Sequence, residues 1–181
     1  MCRCLNGLNL DGSARRAVFR SRRTYKLCQN QAMREQAQIR GFKPDDYDEV
    51  VALWRESGLT LKPSDTLQEL KKLLALPGSV FLIAEADRGD TPSEIMGTVI
   101  GAWDGRRAWI YHLAVKPLAR RHRIGSRLMS TVEQSLRDSG ATKINLLVEP
   151  GNQQAADFYR ALGYSDQPLQ FFTKAFQPER A

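Results

Sequence analysis

Between Lys116 and Ser126 the sequence sets Arg120, Arg121, His122 and Arg123 directly before Ile124, Gly125 and Ser126, where a helical apolar period begins. A helix start presents main-chain N–H groups that lack intrahelical partners, together with a partial positive charge. A loop wrapped around such a start can hold a pyrophosphate. Cations at that end oppose the helix dipole unless an anion joins them. The spacing therefore predicts an anion site rather than a merely solvated basic helix start.

A second stretch with chemical potential runs from Asn152 to Tyr164. Asn152 is suited to cap a short helix that carries Ala155, Phe158, Tyr159 and Leu162, and Gly163 is suited to end it. Two histidines, His112 and His122, are the side chains whose ordinary titration falls near neutral pH. His112 sits in a strand pattern next to Tyr111. On a regular strand successive side chains alternate, so only one of the two is expected to face a given side.

The elements that must hold these residues follow from periodicity. Gln38 to Phe42 reads as a strand. Pro44, at a typical first helical position, opens a helix with Tyr47, Val50, Val51 and Trp54 on one face. Thr66-x-x-Glu69 resembles a capping box ahead of Leu67, Leu70 and Leu74, and Leu76-Pro77-Gly78 stops that helix. The period then changes to two. Val80 to Ala86, Ile95 to Trp103 and Ala108 to Val115 read as strands, with a polar linker from Asp87 to Ser93 and a hairpin turn at Asp104-Gly105, where both central residues favour positive φ.

A helix from about Gly125 buries Leu128, Met129, Val132 and Leu136, and Glu133 stands four residues before Arg137 for a modest pair. Gly140 ends it. Lys143 to Val148 is a strand of the buried type, and Leu169 to Phe176 is expected to close the chain as a last strand. Ala108 to Val148 is strand–helix–strand, so its two strands should be parallel neighbours. The sum is an α+β chain with one mixed, mostly antiparallel sheet.

At 181 residues and 42% apolar content the chain suits one domain with an extension. No run approaches the ~20 apolar residues that span a bilayer, so no membrane partner is expected. The net charge of +7 comes from 27 Lys and Arg against 20 Asp and Glu. Residues 1 to 38 hold eight of those cations and two of the acids, which leaves a nearly neutral body. The domain boundary is drawn there, with residues 1–37 as a basic extension, expected to be disordered, and residues 38–181 as the folded unit.

Three readings of the extension stay open: a targeting peptide, a basic arm for acidic partners or nucleic acid, or a stretch ahead of a true start at Met33. It also holds Cys2, Cys4 and Cys28, the only cysteines. An odd count argues against a disulfide framework. Reduced thiols in a cytoplasmic setting are the expectation, with no metal.

With these elements in order, the sequence resembles the GNAT superfamily of acyl-CoA-dependent N-acetyltransferases. The signature loop (Arg/Gln)-x-x-Gly-x-(Gly/Ala) follows a strand that ends in an apolar-x-Val-x-Pro pattern. Here the strand end is Leu113-Ala114-Val115-Lys116-Pro117 and the loop is Arg120-x-x-Arg123-x-Gly125. The second landmark is matched by Asn152, Ala155, Phe158, Tyr159, Gly163 and Tyr164. Within the superfamily the chain looks most like the small bacterial YpeA-type acetyltransferases, which are similar to ribosomal-protein N-terminal acetyltransferases.

The resemblance implies the GNAT fold, with helices on both faces of the sheet and the parallel pair splayed around acetyl-CoA as co-substrate. It implies transfer of the acetyl group to a primary amine by direct attack in a ternary complex. Leu113, Ala114, Val115, Arg120, Arg121, His122, Arg123, Ile124, Gly125, Ser126, Asn152 and Tyr159 are then the expected cofactor-binding residues. Tyr159 matches the family's general acid. The strand position that often carries a glutamate is Tyr111 here, and His112 and Glu149 are the alternatives for a base.

Arg123 replaces the first diagnostic glycine and Arg121 stands where glycine is frequent. Either the loop uses ordinary dihedrals, or cofactor affinity is compromised, with pairing of the arginine side chains to the pyrophosphate or 3′-phosphate of CoA as the expected compensation. An acceptor pocket is expected from the segment around Leu59 to Leu76 and from a last hairpin around Tyr164 to Phe172. The amine itself is not legible. A monomer or homodimer is expected, with any nucleic-acid contact made through the basic extension. A non-catalytic CoA-binding or sensor module on the same fold is the alternative.

Overall fold

The computed structural model describes residues 37–86, 93–174 and 176. The expectations for the basic extension up to Gln36, including its cysteines, and for most of the linker after Ala86 lie outside the described residues. In chain order the elements are β1 (Ala37–Gly41), α1 (Tyr47–Glu56), α2 (Leu67–Leu74), β2 (Val80–Ala86), β3 (Glu94–Trp103), β4 (Ala108–Val115), α3 (Ile124–Asp138), β5 (Ile144–Asn145) and α4 (Gln153–Ala161). The five strands form one sheet in the order β1-β2-β3-β4-β5. All neighbours are antiparallel except β4 and β5, which are parallel.

Apolar side chains alternate to the two faces of this sheet and build two cores. One joins Val50, Leu53 and Trp54 of α1 and Leu70 of α2 to Phe81, Ile83, Ile95 and Ile100. The other joins Ile124, Leu128, Met129, Val132 and Leu136 of α3 to Leu82, Val99, Ala108 and Ile110, with Phe158, Tyr159 and Leu162 of α4 packed beside it. Helices thus cover both faces, as the resemblance implies. The helix α3 can lie close on the sheet because β3 carries Gly101 beneath it. A Cβ on Gly101 would stand 2.6 Å from Val132 Cγ2, nearer than side chains pack.

Several local expectations are corrected. The strand predicted over Lys143 to Val148 pairs only at Ile144 and Asn145, against Ala108 and Trp109. The strand predicted over Leu169 to Phe176, and the hairpin around it, are absent among the described residues. A strand needs a neighbour's ladder, and a two-residue β5 offers almost none. Leu169, Phe171, Phe172 and Phe176 are correspondingly exposed.

The expected Glu133–Arg137 pair does not form. Glu133 accepts the Tyr164 hydroxyl at 2.8 Å, and Arg137 donates to Gln134. Only half of the Thr66 capping box is made: Thr66 accepts the Glu69 N–H, while the Glu69 carboxylate takes Lys72. In the β3–β4 connection Gly105 alone has positive φ. Asp104 instead accepts the main-chain N–H groups of Arg106 and Arg107, an Asx-type turn in a four-residue loop. Among the described residues no helix is long and apolar enough to cross a membrane.

Candidate active site at the splayed strand end

The centre of the site is an irregularity in β4. Thr98 of β3 pairs with Ala114 and Ile100 pairs with Tyr111, so His112 and Leu113 together oppose the single residue Val99. That is a β-bulge, and it resets the alternation of the strand. Before it, Ala108 and Ile110 point to the α3 core; after it, Leu113 and Val115 do, while Ala114 belongs to the core under α1. Tyr111 and His112 are therefore consecutive residues on the α1 side. The expectation that only one of them faces that side is overturned, because the strand is not regular.

The bulge shows as a φ of 49° at His112, a left-handed value that costs a non-glycine residue about 1–2 kcal/mol. A chain of side chains holds it. Trp54 Nε1 donates to Thr98 Oγ1 at 2.8 Å, and Thr98 Oγ1 donates to the His112 carbonyl at 3.0 Å. Thr98 is fully buried. Since β4 pairs with β5 only at Ala108 and Trp109, its edge from Ile110 to Val115 has no strand neighbour on that side among the described residues. This is the splay, and it opens beside the bulge.

The basic loop follows directly. A short turn at Pro117–Ala119 leads to Arg120, and α3 begins at Ile124. Arg121 and Arg123 have φ of 65° and 61°. The loop therefore keeps the left-handed path that glycine would take most cheaply, and the alternative of ordinary dihedrals is excluded. Its three arginines separate by role. Arg120, itself exposed, donates to the carbonyls of Val115 (3.2 Å) and Ser57 (3.4 Å), which ties the loop to β4 and to the end of α1. His122 Nδ1 lies 2.8 Å from the Arg120 carbonyl and braces the same turn.

Arg121 and Arg123 are exposed. Neither guanidinium has a hydrogen-bond or ion-pair partner among the described residues. They flank the first turn of α3, where Gly125 and Ser126 contribute main-chain N–H groups. A Cβ at Gly125 would touch the Phe158 ring at 3.4 Å, so α4 lies against this helix start.

The helix α4 also carries Tyr159. Its ring meets Phe158 and Tyr164 edge-on at 5.3 and 5.7 Å. Burial pushes the phenol up to about 12, so it is a protonated donor at neutral pH. The hydroxyl has no hydrogen-bond partner among the described residues. Asn152 spends its carboxamide oxygen on capping α4, accepting the Ala155 N–H at 3.1 Å. Its carboxamide nitrogen has no partner among the described residues. Glu149 is exposed on the segment after β5.

Sequence reasoning missed Asp65. The motif Lys62-Pro63-Ser64-Asp65 makes the same turn as Lys43-Pro44-Asp45-Asp46: each aspartate accepts the N–H of its lysine at 2.7 Å. The first of these two aspartates, Asp46, pairs with Arg40. The second, Asp65, is 5% exposed and sets Oδ1 3.1 Å from Nε2 of His112. The Trp54 ring lies against the imidazole at 4.4 Å between centroids. Repetition of Lys-Pro-x-Asp was the available signal for the turn; nothing local pointed to His112 as its partner. Among the described residues no group of three or more His, Cys, Asp or Glu side chains could hold a metal ion.

Comparison with known proteins fits this geometry. The profile of the Acetyltransferase (GNAT) family matches residues 47–164. An acetyltransferase from Sodalis glossinidius (strain morsitans) is 33% identical over 130 residues, covering 72% of this chain and 88% of that protein. Among solved structures, the PaiA N-acetyltransferase of Thermoplasma acidophilum in complex with coenzyme A superposes with a TM-score of 0.65 at 19% identity, over 75% of this chain and 94% of that one. The aminoglycoside antibiotic 6′-N-acetyltransferase of Acinetobacter haemolyticus gives 0.63 at 17% identity, over 77% and 99%. At these identities the structural matches speak to the fold.

Proposed function

The chain belongs to the acetyltransferase (GNAT) family, and on that premise we propose that it transfers the acetyl group of acetyl-CoA to a primary amine by direct attack in a ternary complex. The observation that carries this reading is the loop before α3. Two arginines accept left-handed strain there, and their guanidinium groups are left unpaired, among the described residues, beside a helix start. An anion placed there gains the N–H groups of the first turn and two charge-assisted partners.

In this reading Arg121, Arg123, Ile124, Gly125 and Ser126 take the pyrophosphate, while Arg120 and His122 fix the loop's shape. The pantetheine arm lies along the open edge of β4 at Leu113, Ala114 and Val115. Main-chain N–H groups near the bulge polarise the thioester carbonyl. Tyr159, buried and protonated, gives its proton to the departing thiolate. The acceptor, a protein N-terminus, a lysine or a small amine, approaches from the α1–α2 side. The proposal includes a cytoplasmic setting, a monomer or homodimer, and nucleic-acid contact only through the basic extension.

The test has two steps. Acetyl-CoA at 100 times its dissociation constant should stabilise the chain by about 2.7 kcal/mol in a thermal-shift assay. Thiol release with an amine panel should then exceed the uncatalysed rate. No thermal shift at millimolar acetyl-CoA refutes the proposal; a shift without turnover on any amine favours a sensor module.

A further inference from the structure

We propose that His112, held by Asp65, is the base that removes the proton from the incoming ammonium group. The inference rests on the acetyl-transfer reading above and adds to it a catalytic residue and the residue that positions it. Four observations converge. The Asp65 carboxylate is buried and already fixed through Oδ2 to the Lys62 N–H, so Oδ1 is presented to His112 Nε2 at 3.1 Å from a rigid turn. A carboxylate at Nε2 selects the tautomer protonated there and leaves the basic lone pair on Nδ1.

Nδ1 has no protein partner among the described residues, and it is not sealed among the buried polar atoms. The imidazole side chain is 19% exposed, which is enough for a ligand atom to reach it. Finally, the residue is held at a φ of 49° on a bulge next to the open edge of β4. Strained residues persist where the surroundings over-determine them, and they cluster at functional sites.

The groups around the imidazole come from several elements. Asp65 meets it from the turn before α2. Lys62 and Tyr47 contact the same aspartate, through a main-chain N–H and a hydroxyl–carbonyl hydrogen bond respectively. Trp54 and Thr98 present neutral groups from α1 and β3, and Tyr111 adjoins it on its own strand. Among the described residues Asp65 is thus the one charged side chain in direct contact, and it stabilises the imidazolium that proton abstraction creates.

In the proposed step Nδ1 takes one proton from the ammonium group and releases it to solvent. The free amine attacks, the C–N bond forms and the C–S bond breaks. The second proton lost from nitrogen replaces the one that Tyr159 delivers to the sulfur. One amide, one thiol and one net proton result.

The experiment measures thiol release from acetyl-CoA by the full chain between pH 6 and pH 11. The probe acceptors are lysine, spermidine and a peptide with a free alanine N-terminus, with water as the blank. The H112Q variant should be slower by about 10²-fold or more near pH 7, with acetyl-CoA thermal stabilisation intact. Its deficit should shrink toward high pH, where the amine is already deprotonated. D65N should retain turnover but lose part of kcat with the KM for the amine unchanged, because the aspartate acts through the imidazole and does not touch the acceptor. Nitrogen-detected NMR of the acetyl-CoA-bound wild type should show the Nε2–H tautomer at His112.

A deficit that stays constant with pH, or an Nδ1–H tautomer, overturns the assignment. So does unchanged turnover in H112Q. Wild-type protein that binds acetyl-CoA yet releases no thiol overturns the proposed function as well, whereas wild-type release that H112Q retains overturns the base alone.

Discussion

Replacing both Arg121 and Arg123 by glycine, and separately by alanine, divides backbone strain from charge in the anion loop. Both pairs remove the two unpartnered guanidinium groups, but only glycine relieves φ values of 65° and 61°. A left-handed residue with a Cβ costs about 1–2 kcal/mol. The extra freedom of glycine in the unfolded chain takes back about 0.4–1 kcal/mol per site. The difference is about 0.5–1 kcal/mol per position, so R121G/R123G should be about 1–2 kcal/mol more stable than R121A/R123A. For a domain of this size that corresponds to a melting temperature higher by roughly 2–8 °C.

Acetyl-CoA affinity should respond in another way. Each guanidinium–phosphate pair is charge-assisted, worth about 1.5–3 kcal/mol when well formed. Discounting for exposure and salt leaves about tenfold per arginine. Both double variants should therefore bind acetyl-CoA about 100-fold more weakly, with a shallower salt dependence, by calorimetry at two ionic strengths. Equal melting temperatures for the glycine and alanine pairs would refute the strained path. Affinity and salt slope equal to wild type would show that neither arginine meets a phosphate.

Three further outcomes are expected of the same structure. Tyr159→Phe should lower turnover by about 10²–10⁴-fold with acetyl-CoA binding retained, and unchanged turnover would remove the phenol from the mechanism. Gly101→Ala puts a Cβ 2.6 Å from Val132 Cγ2; such overpacking typically costs about 1–3 kcal/mol, visible as a lower urea midpoint. The Arg40 guanidinium and the Ser93 hydroxyl bring the Glu85 carboxyl down to about 2 from 4.5. Its stabilising effect is present above the unfolded value and is lost as pH falls through the folded one. Wild type should thus exceed E85Q in melting temperature at pH 6, with the gap closing between about pH 4.5 and pH 2; a gap independent of pH would contradict this.

The scaffold is readable from the sequence because most of its elements satisfy local and tertiary demands together. The α1 face at Val50, Leu53 and Trp54 and the α3 face at Leu128, Met129, Val132 and Leu136 are buried as their spacing requires. Asn152 caps α4 as its residue type suggests. The failures concern partners. Leu169 to Phe176 has strand-like residues, yet β5 pairs over only two positions and leaves it no ladder to join. Glu133 prefers the Tyr164 hydroxyl to a neighbour on its own helix. Such choices are made by elements far apart in sequence, and periodicity holds no information about them.

The site itself is half legible in the sequence, and the illegible half has a common cause. The run of charge at Arg120 to Arg123 points to an anion by its place between strand and helix. The exposed guanidiniums at Arg121 and Arg123, unpartnered among the described residues, are free to serve it. What the residue types argue against is the backbone they adopt. Among the described residues, the non-glycine positions with positive φ are His112, Arg121 and Arg123, all within one strand end and its following loop. Each violates its local preference, and each is held by tertiary contacts: Trp54 through Thr98 for the bulge, Arg120 on the Val115 and Ser57 carbonyls for the loop. Local rules are expected to fail where a fold stores strain for a ligand. The concentration of all three failures beside the open edge of β4 is thus an independent reason to look for the chemistry there.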